Sequence, residues 1–340
     1  MTGDHREERG QDRQHLVSVV VPVYRGEHHL ADLVAELEPY TKSSLSPAGR
    51  PFRVTEVLLV HDCGPDRSPE VMRDLAARYD FVRTIWLSRN FGQHAATLAG
   101  MASAGGEWIA TLDEDGQHDP GYLGDLLDVA VDAGARVVYA QPTNAPPHSA
   151  FRNLTSRTAK RLVRLLSGGA DASAFQSYRL VLGEIGRSVA AYAGSGVYLD
   201  VAMGWVTGPY AQCPVELRSE GDRPSGYSTR RLMSHFWRLV LSSGTRGLRL
   251  VSILGAVFGL GGVALAVGLG VARLAGGATP QGWTSTIVTV LLGTGAILFS
   301  LGVIAEYIGI AVNMAMGKPL YLIVGDREDG PLGRAARTRR

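Results

Sequence analysis

The chain has 340 residues, 45% hydrophobic and 19% charged, which is too apolar for a disordered polymer and long enough for one large domain or two. Lys and Arg total 34 against 32 Asp and Glu, a formal charge of +2, so despite a pI near 8.6 the overall charge gives no argument for nucleic acid as a partner. The two cysteines, Cys63 and Cys213, lack metal-site spacing and fit small buried thiols in a reducing cytosol.

Residues 1–15 read as a polar, disordered tail. They have no apolar stretch behind a basic start, so no signal peptide is expected and the catalytic part belongs on the cytosolic side. Residues 16–21 (LVSVVV), closed by Pro22, form a continuous β-branched run, as expected of a strand buried on both faces. A helix over 29–40 follows, then a strand over 54–60 ending in His61 and Asp62, a helix over 70–79, a strand over 82–87 and a helix over 95–104. The series continues with a strand over 108–112, a helix over 122–133 and a strand over 136–140. Alternating strands and helices at this spacing predict an α/β fold with a mostly parallel sheet covered on both faces. Such sheets bind ligands at the carboxyl ends of their strands. Residues 22–24, Asp62, Arg89 with Asn90, and 113–115 all fall at those ends. No strand is followed by G-x-G-x-x-G, which counts against a dinucleotide dehydrogenase. The glycines around 255–262 instead suit close packing of membrane helices.

The fourth strand runs into Leu112-Asp113-Glu114-Asp115-Gly116-Gln117-His118. Side chains two apart on extended chain point the same way, so Asp113, Asp115 and Gln117 can converge on one point. Two carboxylates and an amide suit a hard cation such as Mg²⁺ or Mn²⁺ that shares its remaining positions with a diphosphate. A lone D-x-D also reads as an acidic turn, so its context has to choose between the two.

Residues 150–167 pattern as a helix with Arg152, Arg157, Lys160, Arg161 and Arg164 beside leucines, and 229–248 repeats the combination with Arg230, Arg231 and Arg238. Both read as amphipathic helices at a membrane interface, with solvated basic faces of a globular domain as the alternative. No charge occurs between Arg249 and Arg273, enough helix to cross a hydrocarbon core of about 30 Å. A second span is expected over about 283–305, with Glu306 where it leaves the membrane. Basic residues at both ends of this 249–317 hairpin, including those of a basic tail over 318–340, put both termini in the cytosol by the positive-inside rule. The expected location is the inner (plasma) membrane, crossed twice.

Together VVVPVY (19–24), LSRNFGQHAA (87–96), LDEDGQHDP (112–120), SGYSTRRL (225–232) and LGVIAEYIG (301–309) resemble the dolichol-phosphate mannosyltransferase-like branch of glycosyltransferase family 2, which are membrane-bound polyprenyl-phosphate glycosyltransferases. The resemblance covers about 17–324. It implies a GT-A domain over 16–228 and inverting transfer of a sugar from a UDP- or GDP-linked donor to a polyprenyl phosphate at the lipid bilayer. The family also contains homo-oligomers, including tetramers. Carried over residue by residue, the nucleotide-sugar pocket falls on Pro22, Tyr24, Glu27, Val60, Asp62, Asn90, Asp113, Glu114 and Asp115. The metal site falls on Asp113, Asp115 and Gln117, and the catalytic set is Asp113, Asp115 and Arg152. Guanidinium forks hold phosphate oxygens in pairs, so the acceptor phosphate is given to Arg152, Arg179, Arg218, Arg230 and Arg231. Asp200 reads either as a base for a hydroxyl acceptor or as a capping or surface residue.

The sequence departs from the family at Arg25-Gly26, at His61, where an Asp is usual, and at Gln141, where an Arg is common. Two alternatives remain open. One is a processive polysaccharide synthase, although the chain lacks Gln-x-x-Arg-Trp and further spans. The other is a catalytically silent nucleotide-sugar sensor or scaffold.

Overall fold

The computed structural model describes residues 13–144, 175–194, 198–218 and 282–330, with scattered positions between 251 and 275. The chain divides into two compact units. The first comprises Met1–Thr158, Asp171–Tyr227 and Pro319–Arg340, and the second Ala159–Ala170 and Ser228–Lys318.

The first unit is built on β1 (His15–Val23), α1 (Leu30–Leu37), β2 (Ser44–Leu45), β3 (Pro51–His61), α2 (Ser68–Arg78), β4 (Val82–Leu87), α3 (Gln93–Ser103), β5 (Trp108–Thr111), α4 (Leu123–Ala133) and β6 (Val137–Pro142). These are followed by β7 (Arg179–Leu182), α5 (Gly183–Tyr192), α6 (Leu199–Val206) and β8 (Ala211–Val215). Alternation along β1 puts Val17, Val19, Val21 and Val23 on one face and Val20 on the other, each in its own apolar core. The first core takes α1, α2 and α4, and the second takes α3, α5 and α6. Helix α1 buries Leu30, Leu33, Val34 and Leu37, the spacing of a single helical stripe. Helix α3 lies so close to β1 that a Cβ on Gly100 would come within 2.3 Å of Val20 Cγ1, so only glycine fits there.

With a last short strand, β9 (Ile323–Val324), the sheet has the order β8-β6-β7-β5-β1-β3-β4-β9, and β2 pairs β3. The β1–β3, β1–β5 and β3–β4 pairs are parallel, as the sequence predicts. The fifth predicted strand does not pair with the fourth. The four-residue β7 inserts between β5 and β6, antiparallel to both, and makes the sheet mixed. A run this short has no readable periodicity, and its place is set by the two buried edges it satisfies.

Part of the segment read as a basic tail also joins the sheet. Strand β9 (Ile323–Val324) pairs antiparallel with β4, and Ser88 N–H donates to Leu322 C=O at 3.0 Å. Arg73 grips Asp326 with two nitrogens at 2.6 and 2.9 Å and reaches Glu328 at 3.0 Å. This segment covers what would otherwise be an open strand edge.

In the second unit, α7 (Trp283–Ala315) contains the apolar 23-residue stretch Gly293–Ala315, long enough to cross a membrane. The helix runs past Glu306 to Ala315, beyond the point near 305 where the second span is expected to leave the membrane. The first expected span, 249–273, lies largely outside the described residues, apart from scattered helical positions. The interfacial segments 150–167 and 229–248 lie wholly outside them.

Candidate functional site

Four loops meet at the carboxyl ends of β1, β3, β4 and β5. After β1, Tyr24 is 38% exposed beside Arg25, whose guanidinium lies 5.7 Å from its ring centroid. After β3 the chain turns through Cys63 at φ 51° into Gly64, where a Cβ would sit 1.5 Å from Tyr24 C=O. Glycine alone permits this approach, so the β3 loop is pressed against the β1 loop.

Asp62 is buried, and its two carboxylate oxygens accept the N–H groups of Phe91 and Gly92 at 2.7 and 2.8 Å. Burial raises its pKa, and the two backbone donors oppose that shift. The residue therefore shapes the loop between β4 and α3. Asn90 lies exposed on that loop, where Arg89 stacks over Phe91 at 4.1 Å. Pro22 belongs to β1, and Val60 is fully buried in the second core, so its side chain packs rather than faces a ligand. Glu27 accepts Arg67 N–H at 3.0 Å and its own N–H donates to Asp66 at 3.2 Å, tying the β1 loop to the start of α2.

The acidic motif splits into two tasks. Glu114 turns back to the β1 loop and accepts Tyr24 N–H at 2.7 Å and Arg25 N–H at 2.8 Å. Burial is the main cause that raises its pKa to about 7, against those two backbone donors. Asp113 takes Gln93 Nε2 on one oxygen at 2.6 Å and Ser177 Oγ on the other at 2.5 Å. Its N–H donates to His118 Nδ1 at 2.9 Å. Asp115 accepts Gln117 N–H at 3.1 Å across the turn at Gly116. No cluster of three or more His, Cys, Asp or Glu able to hold a metal occurs among the described residues. The donors offered are two carboxylates and the Gln117 amide, a hard oxygen set with few charges, which fits Mg²⁺ or Mn²⁺ completed by phosphate oxygens.

Of the arginines expected at an acceptor phosphate, Arg179 and Arg218 fall among the described residues, and both are engaged by carboxylates. Arg179, 3% exposed, pairs with Asp200, also 3% exposed, which in turn accepts Tyr139 Oη–H at 2.9 Å. Asp200 is therefore neither a surface residue nor a helix cap; the expectation of either is corrected by its buried ion pair. Arg218 pairs with Glu36 at 2.8 Å and Asp119 at 3.1 Å, and its N–H donates to Gln117 C=O at 3.0 Å, which braces the acidic loop. Arg152, Arg230 and Arg231 lie outside the described residues.

Two of the positions where the sequence departs from the family carry buried polar atoms with no hydrogen-bond partner among the described residues, His61 Nε2 and Gln141 Oε1. His61 packs edge-on to Trp86 at 5.3 Å, in the first core, whereas Asp62 bonds the α3 loop on the other side of the strand. Sequence reasoning missed Gln93 and Ser177 as partners of Asp113. Gln93 was findable, since it opens a helix at a strand's carboxyl end. Ser177 precedes a strand that the sequence does not announce.

This mixed sheet, with its acidic motif at the carboxyl end of a central strand and a ring of loops around it, defines an α/β glycosyltransferase domain of the GT-A type. The family described as glycosyl transferase family 2 matches residues 18–185. The chain is 31% identical over 313 residues to undecaprenyl-phosphate 4-deoxy-4-formamido-L-arabinose transferase from Salmonella paratyphi B, covering 90% of this chain and 92% of that protein. The protein of that description from Salmonella newport matches to the same extent, 31% over 90% and 92%. The chain belongs to glycosyltransferase family 2. Among solved structures, glucosyl-3-phosphoglycerate synthase from Mycobacterium tuberculosis, in complex with Mn²⁺, UDP and glucosyl-3-phosphoglycerate, is similar at TM-score 0.46 and 17% identity over 68% of this chain and 80% of that one. Mannosyl-3-phosphoglycerate synthase from Rubrobacter xylanophilus is similar at TM-score 0.47 and 14% identity over 71% and 75%.

Proposed function

We propose that this enzyme transfers a sugar, with inversion, from a UDP- or GDP-linked donor to a polyprenyl phosphate such as undecaprenyl phosphate at the cytosolic face of the membrane. The observation that carries the reading is Asp113 at the end of β5, held on both oxygens, with Asp115 and Gln117 following on one turn. The relatives' similarity over nine-tenths of the chain supports the lipid acceptor.

Tyr24, Glu27, Asp62, Asn90 and Glu114 shape the nucleotide-sugar pocket, Asp62 and Glu114 by fixing its loops. Asp113, Asp115 and Gln117 would hold Mg²⁺ or Mn²⁺, which when bound supplies positive charge against the departing nucleoside diphosphate. The acceptor phosphate is already anionic at neutral pH, so the site needs no strong base to activate it. The buried pairing of Asp200 fits that economy. Arg152, Arg230 and Arg231 orient the acceptor phosphate through charge-assisted hydrogen bonds. Arg218 serves instead as a brace of the acidic loop, and Arg179 as the buried partner of Asp200.

A two-span hairpin, with both termini and the catalytic domain cytosolic, completes the reading. Impermeant thiol labelling in intact cells tests it, using single cysteines at Thr279 and Ser167 in a background lacking Cys63 and Cys213. Thr279 is expected to label and Ser167 to stay protected.

The deciding experiment incubates purified protein with a panel of UDP- and GDP-sugars, undecaprenyl phosphate and Mg²⁺ or Mn²⁺, and reads product masses. One sugar added per lipid phosphate is expected. Repeated addition would mark a processive synthase, and donor binding without any transfer a silent sensor.

A further inference from the structure

The residues leading into β7 do more than join two strands. Ser177 Oγ donates to Asp113 Oδ2 at 2.5 Å, while its backbone C=O accepts both Thr111 Oγ1 and, at 3.4 Å, Arg179 Nε. Pairing of Thr111 with Arg179 in the β5–β7 ladder fixes where this lead-in lies along β5. Arg179 is itself immobilised by buried Asp200, which also holds Tyr139. The next residue, Tyr178, is fully buried. Its hydroxyl donates to Asp119 C=O at 3.0 Å, and its ring packs 5.1 Å from that of His118, which accepts the Asp113 N–H. Ser177 is thus anchored through its own carbonyl and through both following side chains, none of which touches the Asp113 carboxylate.

We propose that Ser177 is a positioning residue that sets the orientation of the Asp113 carboxylate toward the donor's metal, together with Gln93 on the opposite oxygen. This rests on the reading of Asp113 as a metal-facing carboxylate. A carboxylate on a loop rotates about its Cβ–Cγ bond. Two donors on opposite oxygens stop that rotation and leave a lone pair on each oxygen in a fixed position for a cation. Because β7 runs antiparallel between β5 and β6, the hydroxyl arrives on the lead-in to that strand, 64 residues downstream of Asp113. The arrangement makes the inserted strand part of the site.

The test titrates Mn²⁺ into the purified full-length chain and follows the free-ion electron paramagnetic resonance signal, without nucleotide and then with UDP or GDP. Ser177→Ala is expected to weaken Mn²⁺ binding by roughly tenfold, the usual cost of losing a partner that orients a ligand. Ser177→Thr, which keeps the hydroxyl, is expected to restore it, and all variants should melt close to the parent. Asp113→Ala serves as the reference and should abolish tight binding. Parent-like affinity in Ser177→Ala, with binding lost in Asp113→Ala, would overturn the positioning role and leave the metal site standing. Parent-like affinity in Asp113→Ala would overturn the metal site, and the positioning role with it. Equal weakening in Ser177→Ala and Ser177→Thr, with lowered melting in both, would show a structural residue only and also overturn the proposal.

Discussion

Glu114 Oε2 accepts the backbone N–H of Tyr24 at 2.7 Å, so the loop after β5 holds the loop after β1 across the mouth of the sheet. The other oxygen takes Arg25 N–H at 2.8 Å, and both donors lose their partner together if the carboxylate is removed. Both donors belong to exposed residues, where water can take the carboxylate's place, so each bond contributes about 0.5–1.5 kcal/mol net. Glu114→Ala is therefore expected to lower stability by about 1–3 kcal/mol and to weaken nucleotide binding, as the Tyr24 loop is released. Glu114→Gln, with one acceptor left, should fall between. Chemical denaturation and calorimetry with UDP and GDP measure the two effects; unchanged nucleotide affinity in Glu114→Ala would show that the loops do not depend on this contact.

Removing the metal or its carboxylates should stop turnover. Asp113→Ala or Asp115→Ala is expected to cut sugar transfer at least about a hundredfold, since charge on the leaving diphosphate then lacks several kcal/mol of stabilisation. Chelation by EDTA should do the same to the parent protein and be reversed by added Mg²⁺ or Mn²⁺. Full activity in EDTA would refute the assignment.

The acceptor arginines should separate kinetically. Arg230→Ala combined with Arg231→Ala is expected to raise the lipid KM roughly tenfold or more, and Arg152→Ala to lower kcat as well, given the usual strength of hydrogen bonds to charged groups. Neither change should alter affinity for the free nucleoside diphosphate. Loss of nucleotide binding with normal lipid saturation would move these residues to the donor side.

His61 should make the fold acid-sensitive. Burial holds its imidazole below the ordinary value of 6.5, with Asp66 opposing the shift. Well above pH 6.5 neither the folded nor the unfolded chain is protonated there. As pH falls through 6.5 the unfolded chain takes up a proton that the folded chain resists, so stability drops. His61→Phe keeps a ring against Trp86 and removes the Nε2 that has no partner among the described residues. It is expected to flatten the stability profile between pH 7.5 and 5.5, to gain about 1 kcal/mol at the acid end, and to leave nucleotide binding intact. A parent-like acid slope in this variant would assign the sensitivity to another group.

The docked C-terminal segment gives a last test. Arg73→Ala removes a two-nitrogen grip on Asp326, whose carboxyl that contact holds below its usual range. Breaking this partly buried pair is expected to cost about 1–3 kcal/mol and to expose residues 319–330 to protease. Unaltered cleavage kinetics would show that the β4–β9 pairing suffices alone.

Much of this was legible in the chain itself. Strands β1 and β5 announce themselves as nearly continuous apolar runs because both their faces are buried, β3 and β4 by the shorter apolar runs 57–60 and 85–87, and the acidic motif follows β5 directly. Helix α1 is visible from its stripe at Leu30, Leu33, Val34 and Leu37. These signals are local: a residue's neighbours in sequence are enough to show which way it must face.

What the sequence could not show is which distant pieces complete the sheet and the site. Strand β7 is four residues long and β9 two, too short for any period, and Arg73 meets Asp326 across 253 positions. The same holds for Ser177 on Asp113, for Arg179 turned inward to Asp200, and for Glu114 turned back to Tyr24 rather than toward a ligand. Such contacts form only once the core has brought the strand ends together, because a buried carboxylate or guanidinium must then find whichever opposite charge or backbone donor the packed chain presents.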